Sequence, residues 1–183
     1  MSQFEYIGVG ISIVIALSVA RLLEGLHDSF DPTRRYWIHS LWVVNKLMNS
    51  ALLFWSGWVY RGVEVWTFID FLLVVSGPGV LFLQVHTLLT AHPEKVSDWS
   101  SHFWEVRRWF FSANVLLVAL SALNLYVVSE TMFPSPEAIP LGIILLFSAA
   151  GIFSASERLH GVIAVVAFVN LGLGFGAIFL QAG

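Results

Sequence analysis

The sequence contains no cysteine and few charged residues, and each absence excludes a class of protein. Without cysteine the chain cannot form disulfides, thiolate metal sites, a cysteine nucleophile or a thioether-linked haem. Charged residues make up 11% of the 183 residues and hydrophobic residues 57%, whereas a soluble domain carries about 25% charged residues. Because so few polar side chains cannot cover a soluble surface, the composition indicates a polytopic membrane protein and not a disordered or nucleic-acid-binding chain.

Motifs of several common catalytic centres are also absent. The sequence has no GxSxG nucleophile motif, no Walker loop, no GxGxxG loop and no HExxH zinc motif. The glycines at 172, 174 and 176 lie inside an apolar stretch, which is typical of helix packing and not of a phosphate cradle. The sequence therefore points away from an enzyme without deciding the question.

Six apolar stretches are long enough, or nearly so, to cross a hydrocarbon core of ~30 Å as helices. They cover residues 4–23, 36–60, 66–90, 103–128, 139–155 and 159–180. The opening residues lack a basic region and a cleavage site, so we interpret the first stretch as a retained span. Because the connections are short, we predict one all-α domain over residues 1–183, an integral membrane bundle of six transmembrane helices.

The placement of charge predicts the orientation of this bundle. With six spans both termini share one face, and the 1–2, 3–4 and 5–6 loops lie on the other. The terminal face carries Arg61 with Glu5, Glu64, Asp70, Glu130 and Glu137. The other eight basic residues belong to the loop face or its half of the membrane: Arg21, Arg34, Arg35, Lys46, Lys95, Arg107, Arg108 and Arg158. The positive-inside rule then makes these loops cytoplasmic and both termini periplasmic.

Polar side chains recur at helical spacing along spans one to four. Ionisable residues inside a membrane are costly and mark functional sites, although those near a span end reach the interface easily. Lys46 lies too deep for that, so we expect it to pair with a carboxylate from another helix. The candidate pathway or ligand-binding residues are Arg21, Glu24, His39, Lys46, Asn49, Asp70, Gln84, Glu105, Arg108 and Asn114. A purely structural reading stays open, in which Arg21 pairs with Glu24 and Asn49 joins helices.

The third, fifth and sixth spans contain small residues with different predicted roles. Pro78 predicts a kink or break near the middle of span three, as in transporters with broken helices. Spans five and six are almost wholly apolar and are interpreted as scaffold. Gly172 and Gly176 form a small-xxx-small pair that favours self-association, so we expect a homo-oligomer.

All six histidines fall near the predicted cytoplasmic side: His27, His39, His86, His92, His102 and His160. His39 and His86 sit at similar depths on spans two and three and could hold a haem or a divalent metal. No histidine spacing has the form of a known metal motif. The alternative is that these histidines cap helix ends at the interface.

Short segments in the first two thirds of the chain carry a resemblance to a known group. They are Phe4–Ile7, Ser12–Leu17, Arg21–Gly25, Tyr36–His39 with Trp42, Trp66–Phe68 before the proline of span three, and Arg107–Phe111. In these segments the chain resembles a widespread family of small polytopic bacterial inner-membrane proteins. The resemblance implies a bacterial inner membrane but no particular activity. It marks five residues for testing: Glu24, His39, Trp42, Pro78 and Arg108.

Three functional hypotheses follow from these patterns. The first is a channel- or transporter-like protein that moves an ion or small polar solute along spans two to four. The second is a redox, metal-binding or haem-binding membrane protein with a histidine site at the cytoplasmic leaflet. The third is a non-catalytic subunit or sensor of a larger membrane complex. The lipid bilayer is the expected surrounding partner, and no nucleic acid is expected.

Overall fold

The computed structural model describes residues 2–127 and 138–181 and is all-helical over these residues. The six long helices are α1 (Gln3–Ser29), α2 (Trp37–Ser56), α3 (Phe68–Leu89), α4 (Trp99–Val127), α5 (Ala138–Phe153) and α6 (Glu157–Gln181). Short 3₁₀ turns cover Gly57–Gly62 and Pro93–Lys95. The predicted all-α architecture is confirmed, and each predicted span corresponds to one helix. Glu130 and Glu137, predicted on the terminal face, lie outside the described residues.

Four of the helices are long and apolar enough to cross a membrane, namely α1, α3, α4 and α6. Helix α5 is apolar but shorter, with its apolar part at Ile139–Phe153. Helix α2 has 20 residues but contains several polar side chains, including a lysine and two asparagines. The helices therefore support a membrane protein by their length and composition.

The helices pack as a closed cycle in the order α1, α3, α4, α5, α6 and α2. Helix α2 contacts α1 and α6 within this cycle and also reaches across to α3 and α4. Its inner face packs into an aromatic and aliphatic core that includes Trp42, Leu81, Phe110 and Phe111. Several polar side chains of α2 are therefore buried by the neighbouring helices.

Polar side chains define where three helices begin. Ser2 and Glu5 form a capping box at α1, and Thr67 and Asp70 form one at α3. At α4 the carboxylate of Asp98 accepts hydrogen bonds from the backbone N–H groups of residues 100 and 101. These bonds satisfy the free N–H groups of each first turn.

Helix α3 continues through Pro78 without interruption. The predicted break at this proline is therefore wrong. Pro78 lies inside the single long helix that corresponds to the third predicted span. One turn earlier, the carbonyl of Leu73 accepts hydrogen bonds from Ser76 and from Asn124 of α4. These bonds tie α3 to α4 just before the proline, whereas the carbonyl that Pro78 leaves without its usual backbone donor is that of Val74.

The α1–α2 and α3–α4 connections lie against each other at one end of the bundle, joined by Arg34. Its guanidinium donates to the carbonyls of Pro93 and Val96 at 2.9 and 3.0 Å. It also pairs with the carboxylates of Asp28 and Asp31 at 3.1 and 3.2 Å. This joint fixes the loop-side ends of the first four helices relative to each other.

Candidate functional site

A buried polar network lies where α2, α3, α4 and α5 meet. The ammonium of Lys46 donates to Oε1 of Gln84 at 2.9 Å and to Oδ1 of Asn114 at 2.7 Å. Gln84 also donates to Oδ1 of Asn114 at 3.0 Å, and Asn114 donates to Oγ of Ser148 at 2.7 Å. All four side chains are at most 3% exposed. We call Lys46, Gln84, Asn114 and Ser148 the central network.

The chemistry of lysine fixes the direction of these hydrogen bonds. An ammonium has three N–H donors and no acceptor, so both amides must turn their oxygens towards Lys46. The amide nitrogen of Asn114 then points away from the lysine and donates to Ser148. The hydrogen bonds therefore run in one direction: Lys46 donates to Asn114, and Asn114 donates to Ser148.

The charge of Lys46 is balanced by dipoles and aromatic rings. Among the described residues no carboxylate lies within ion-pair distance of Lys46. The prediction that Lys46 pairs with a carboxylate from another helix is therefore wrong. Nζ of Lys46 lies 5.2 Å from the ring centre of Phe110 and 5.8 Å from that of Trp42, where the faces of the rings attract a cation. The carboxylate of Asp70, a candidate site residue on the third span, is held in the capping box of α3 by Thr67.

A small cavity of about 10 Å³ lies beside the central network, between α2, α5 and α6. Ser148 and Trp42 line it together with apolar side chains such as Ile163 and Ala167. The indole Nε1 of Trp42 is buried and has no hydrogen-bond partner among the described residues. The cavity thus adjoins Ser148, which is the last acceptor of the central network, and Trp42, whose indole N–H is unsatisfied.

A second polar cluster caps the end of α3. His39 of α2 and His102 of α4 both donate through Nε2 to the carbonyl of Leu88, at 3.0 and 3.1 Å. Arg21 of α1 donates to the carbonyls of Leu89 and Thr90. The last carbonyls of a helix lack partners within it, so three other helices supply donors to α3 at this end.

This geometry does not support a haem held between His39 and His86. The ring of His39 is fully buried, stacks on Trp99 at 4.4 Å and uses Nε2 for Leu88. His86 is exposed and lies against the carbonyl and ring of Phe82 on its own helix. Among the described residues no group of three or more histidine, aspartate or glutamate side chains is placed to hold a metal ion. The structure therefore favours the capping role for His39.

Several predicted site residues lie away from the central network. Glu24 is exposed and pairs with Arg21 at 3.5 Å, as in the structural reading of that pair. Glu105 and Arg108 are exposed on α4, and Asn49 is half-buried on α2. Three of the predicted residues, Lys46, Gln84 and Asn114, do come together in the bundle interior.

Two polar residues of the interior were missed from the sequence. Ser148 belongs to α5, which was interpreted as scaffold, and Asn45 donates to the carbonyl of Ala164 in α6 at 3.0 Å. The isolated hydroxyl of Ser148 in an otherwise apolar helix was the available signal. Asn45 directly precedes Lys46, so it does not share the helical spacing of the candidate residues on the second span.

No protein-family model, curated protein or solved structure matches the chain. The site is therefore defined by its own geometry: a buried lysine held by amide oxygens from α3 and α4, with Ser148 of α5 accepting from the second amide.

Proposed function

We propose that the chain is an integral membrane transport protein that moves a small ion or polar solute, with the central network as its binding centre. The observation that supports this most strongly is the buried ammonium of Lys46, held by two amide oxygens. Ionisable groups in such surroundings mark ion or substrate sites in membrane bundles.

Stability alone gives little reason to place a lysine here. Taking a charge out of water carries a penalty of several kcal/mol, and apolar residues of similar volume often replace buried charges without loss of stability. Apart from Gln84 and Asn114, the surrounding residues are aromatic and aliphatic, so a wholly apolar set of side chains at positions 46, 84 and 114 would suit the same space. A cation kept in this position is therefore best explained by what it binds.

The proposal places all six helices in a bacterial inner membrane. Helix α2 is polar on the face that its neighbours cover, and α5 is short, so both cross as members of the bundle. The α1–α2, α3–α4 and α5–α6 connections alternate with the termini and carry most basic residues, so we assign them to the cytoplasm. Both termini are then periplasmic.

The test is an osmotic-shock assay on proteoliposomes, followed by light scattering. The probes cover three classes: potassium chloride with valinomycin reports anion permeability, potassium thiocyanate, whose anion crosses lipid unaided, reports cation permeability, and urea and glycerol are neutral polar solutes. The Lys46→Met variant should lose the permeability that the unchanged protein shows. Because it leaves Oε1 of Gln84 without its donor, size-exclusion chromatography and thermal unfolding check its fold before the assay. The matched control is Lys95→Met, because Lys95 is exposed in the α3–α4 connection.

Two results would contradict the proposal. One is that none of these probes crosses faster than through protein-free liposomes. The other is that Lys46→Met proteoliposomes keep full permeability, which would show that the central network only stabilises the bundle.

A further inference from the structure

Two asparagines near the middle of their helices have amide groups without partners. Asn49 of α2 and Asn170 of α6 are both half-buried, and neither side chain forms a hydrogen bond with any residue in the described part of the chain. The other asparagines of the chain, Asn45, Asn114 and Asn124, each donate to a group on another helix. Asparagine therefore joins helices everywhere else in this bundle, and these two amides are the exception.

The two amides lie at the same level, because α2 and α6 are parallel neighbours. Both helices begin at the loop-side end of the bundle and pack against each other. Leu52 lies against Gly174, where a Cβ would come within 3.4 Å of its Cδ1. Asn49 comes one helical turn before Leu52, and Asn170 comes one turn before Gly174. Residues three or four apart share a helix face, so both asparagines lie along the line where α2 and α6 meet, which we call the α2–α6 seam.

Hydrocarbon cannot satisfy these amides. Asn49 lies three residues from Lys46, so the seam is as deep in the bundle as the central network. An amide carries two N–H donors and a carbonyl acceptor, and lipid tails offer partners for neither. Because the side chains of Asn49 and Asn170 are only half-buried, a group outside the chain can reach them. Asparagines in this position join helices in membranes.

We propose that a second copy of the chain covers the α2–α6 seam, with Asn49 and Asn170 of each copy hydrogen-bonded to the same two residues of the other. A two-fold axis along the membrane normal brings the same surface of both copies together and keeps every residue at its own depth. Because Asn49 and Asn170 share one level, each amide then meets an amide, which both donates and accepts. A different protein would need polar groups of its own at this depth, whereas a second copy always has them.

Crosslinking through one introduced cysteine tests this contact, because the chain has no cysteine of its own. Leu173 is 71% exposed and lies one turn beyond Asn170, so Leu173→Cys should form a disulfide between copies in oxidised proteoliposomes. Adding Asn49→Leu and Asn170→Leu to this variant should lower the crosslinked fraction about threefold or more, since the hydrogen bonds between copies are lost. Leu116→Cys is the control, because Leu116 is 50% exposed on α4, which α5 separates from α6.

Thermal unfolding in dilute detergent, where copies are apart, distinguishes this role from a structural one. Asn49→Leu with Asn170→Leu should leave Tm unchanged, because no hydrogen bond within the described part of the chain is lost. Asn124→Leu is the matched asparagine control. It removes the hydrogen bond to the carbonyl of Leu73 on α3 and should lower Tm.

Three results would overturn the inference. Absence of a Leu173→Cys crosslink at every protein density would mean that lipid or a different protein covers the seam. A crosslink that the two asparagine changes leave undiminished, but that Gly172→Leu with Gly176→Leu removes, would place the contact at the glycine pair, about 200° to 240° around α6 from Asn170. A Tm that falls as far as in Asn124→Leu would show that Asn49 and Asn170 pair within one chain.

Discussion

Oδ1 of Asn114 lies 2.7 Å from Nζ of Lys46, and this contact joins the middle of α4 to the covered face of α2. The same oxygen accepts from Gln84 of α3, while the amide nitrogen of Asn114 reaches Ser148 of α5. One amide group therefore connects four helices. Its removal leaves donors and acceptors unsatisfied on each of the other three.

Replacing Asn114 by leucine should destabilise the protein strongly, because the ammonium of Lys46 would lose one of its two oxygen partners while staying buried. In a double-mutant cycle with Lys46→Met, we expect a coupling free energy of about 1 to 3 kcal/mol. Unfolding in a denaturing detergent measures it. Additive effects of the two changes would show that the contact contributes nothing of its own.

Replacing Arg34 by lysine should loosen the joint between the α1–α2 and α3–α4 connections. A lysine cannot reproduce the forked guanidinium, which here serves two carbonyls and two carboxylates. We expect a loss of about 1 to 3 kcal/mol in the free energy of unfolding. The neighbouring change Arg35→Lys is the control, because Arg35 is exposed, and an equal loss in both variants would refute this role of Arg34.

Gly151→Ala should be destabilising although it adds a single methyl group. A Cβ at this position would come within 2.9 Å of the ring of Phe111, which is fully buried and has little space to move. Overpacking of this kind costs about 1 to 3 kcal/mol. Gly172→Ala is the control, since nothing lies within 4 Å of its Cβ position. Equal thermal stability of the two variants would rule out a close contact at Gly151.

The sequence predicts a homo-oligomer through Gly172 and Gly176, so changing both glycines to leucine should weaken that predicted association. Both glycines are exposed, and no other atoms lie within 4 Å of either Cβ position, so a side chain can begin at each position without a clash at its Cβ. Bulky residues would keep a second copy from approaching through this small-residue pair. Crosslinking in liposomes measures the effect, and an unchanged oligomer population would place the self-association surface elsewhere.

Acid should destabilise the loop-side end of the bundle below about pH 4. Hydrogen bonds from the backbone N–H groups of residues 100 and 101 lower the pKa of Asp98, and hydrogen bonds from Thr33 lower the pKa of Asp31. A carboxylate with a lowered folded-state pKa stabilises the fold above its unfolded pKa of about 3.9 and loses this effect as the pH falls through the lowered value.

Thermal unfolding of the unchanged protein should therefore show a loss of Tm below about pH 4 that these two carboxylates cause. Asp98→Asn keeps a capping side chain without a titrating group, so its Tm should fall less over the same range. A Tm that falls equally in this variant would assign the acid sensitivity to other groups.

Much of the fold followed from local sequence properties. The length of each apolar run set the helices to within a few residues, since helix formation in apolar surroundings depends on the segment itself. The exception is Pro78, where local reasoning predicted a kink or break and the helix continues. Near this proline, Leu73 accepts a hydrogen bond from Asn124 of another helix, 51 residues away, and no local pattern reveals such a contact.

The site was predictable only in part. The burial of Lys46 followed from its depth in a long apolar stretch, and Gln84 and Asn114 were among the candidates. The partner of the lysine was not predictable, because a search for opposite charge leads to Asp70, whose carboxylate is used at the start of its own helix. Ser148 was not among the candidates, because it lies in an otherwise apolar helix that was interpreted as scaffold.

The sequence by itself determined that the chain is helical, apolar and asymmetric in its basic residues, because these are properties of composition and spacing. Only the tertiary structure decided which helices surround α2, which amides turn their oxygens to Lys46 and where a small cavity is left. Those features depend on contacts between residues far apart in the chain, such as Lys46 with Asn114, 68 positions away. Side-chain packing between helices, and not the pattern along any one of them, fixes such contacts.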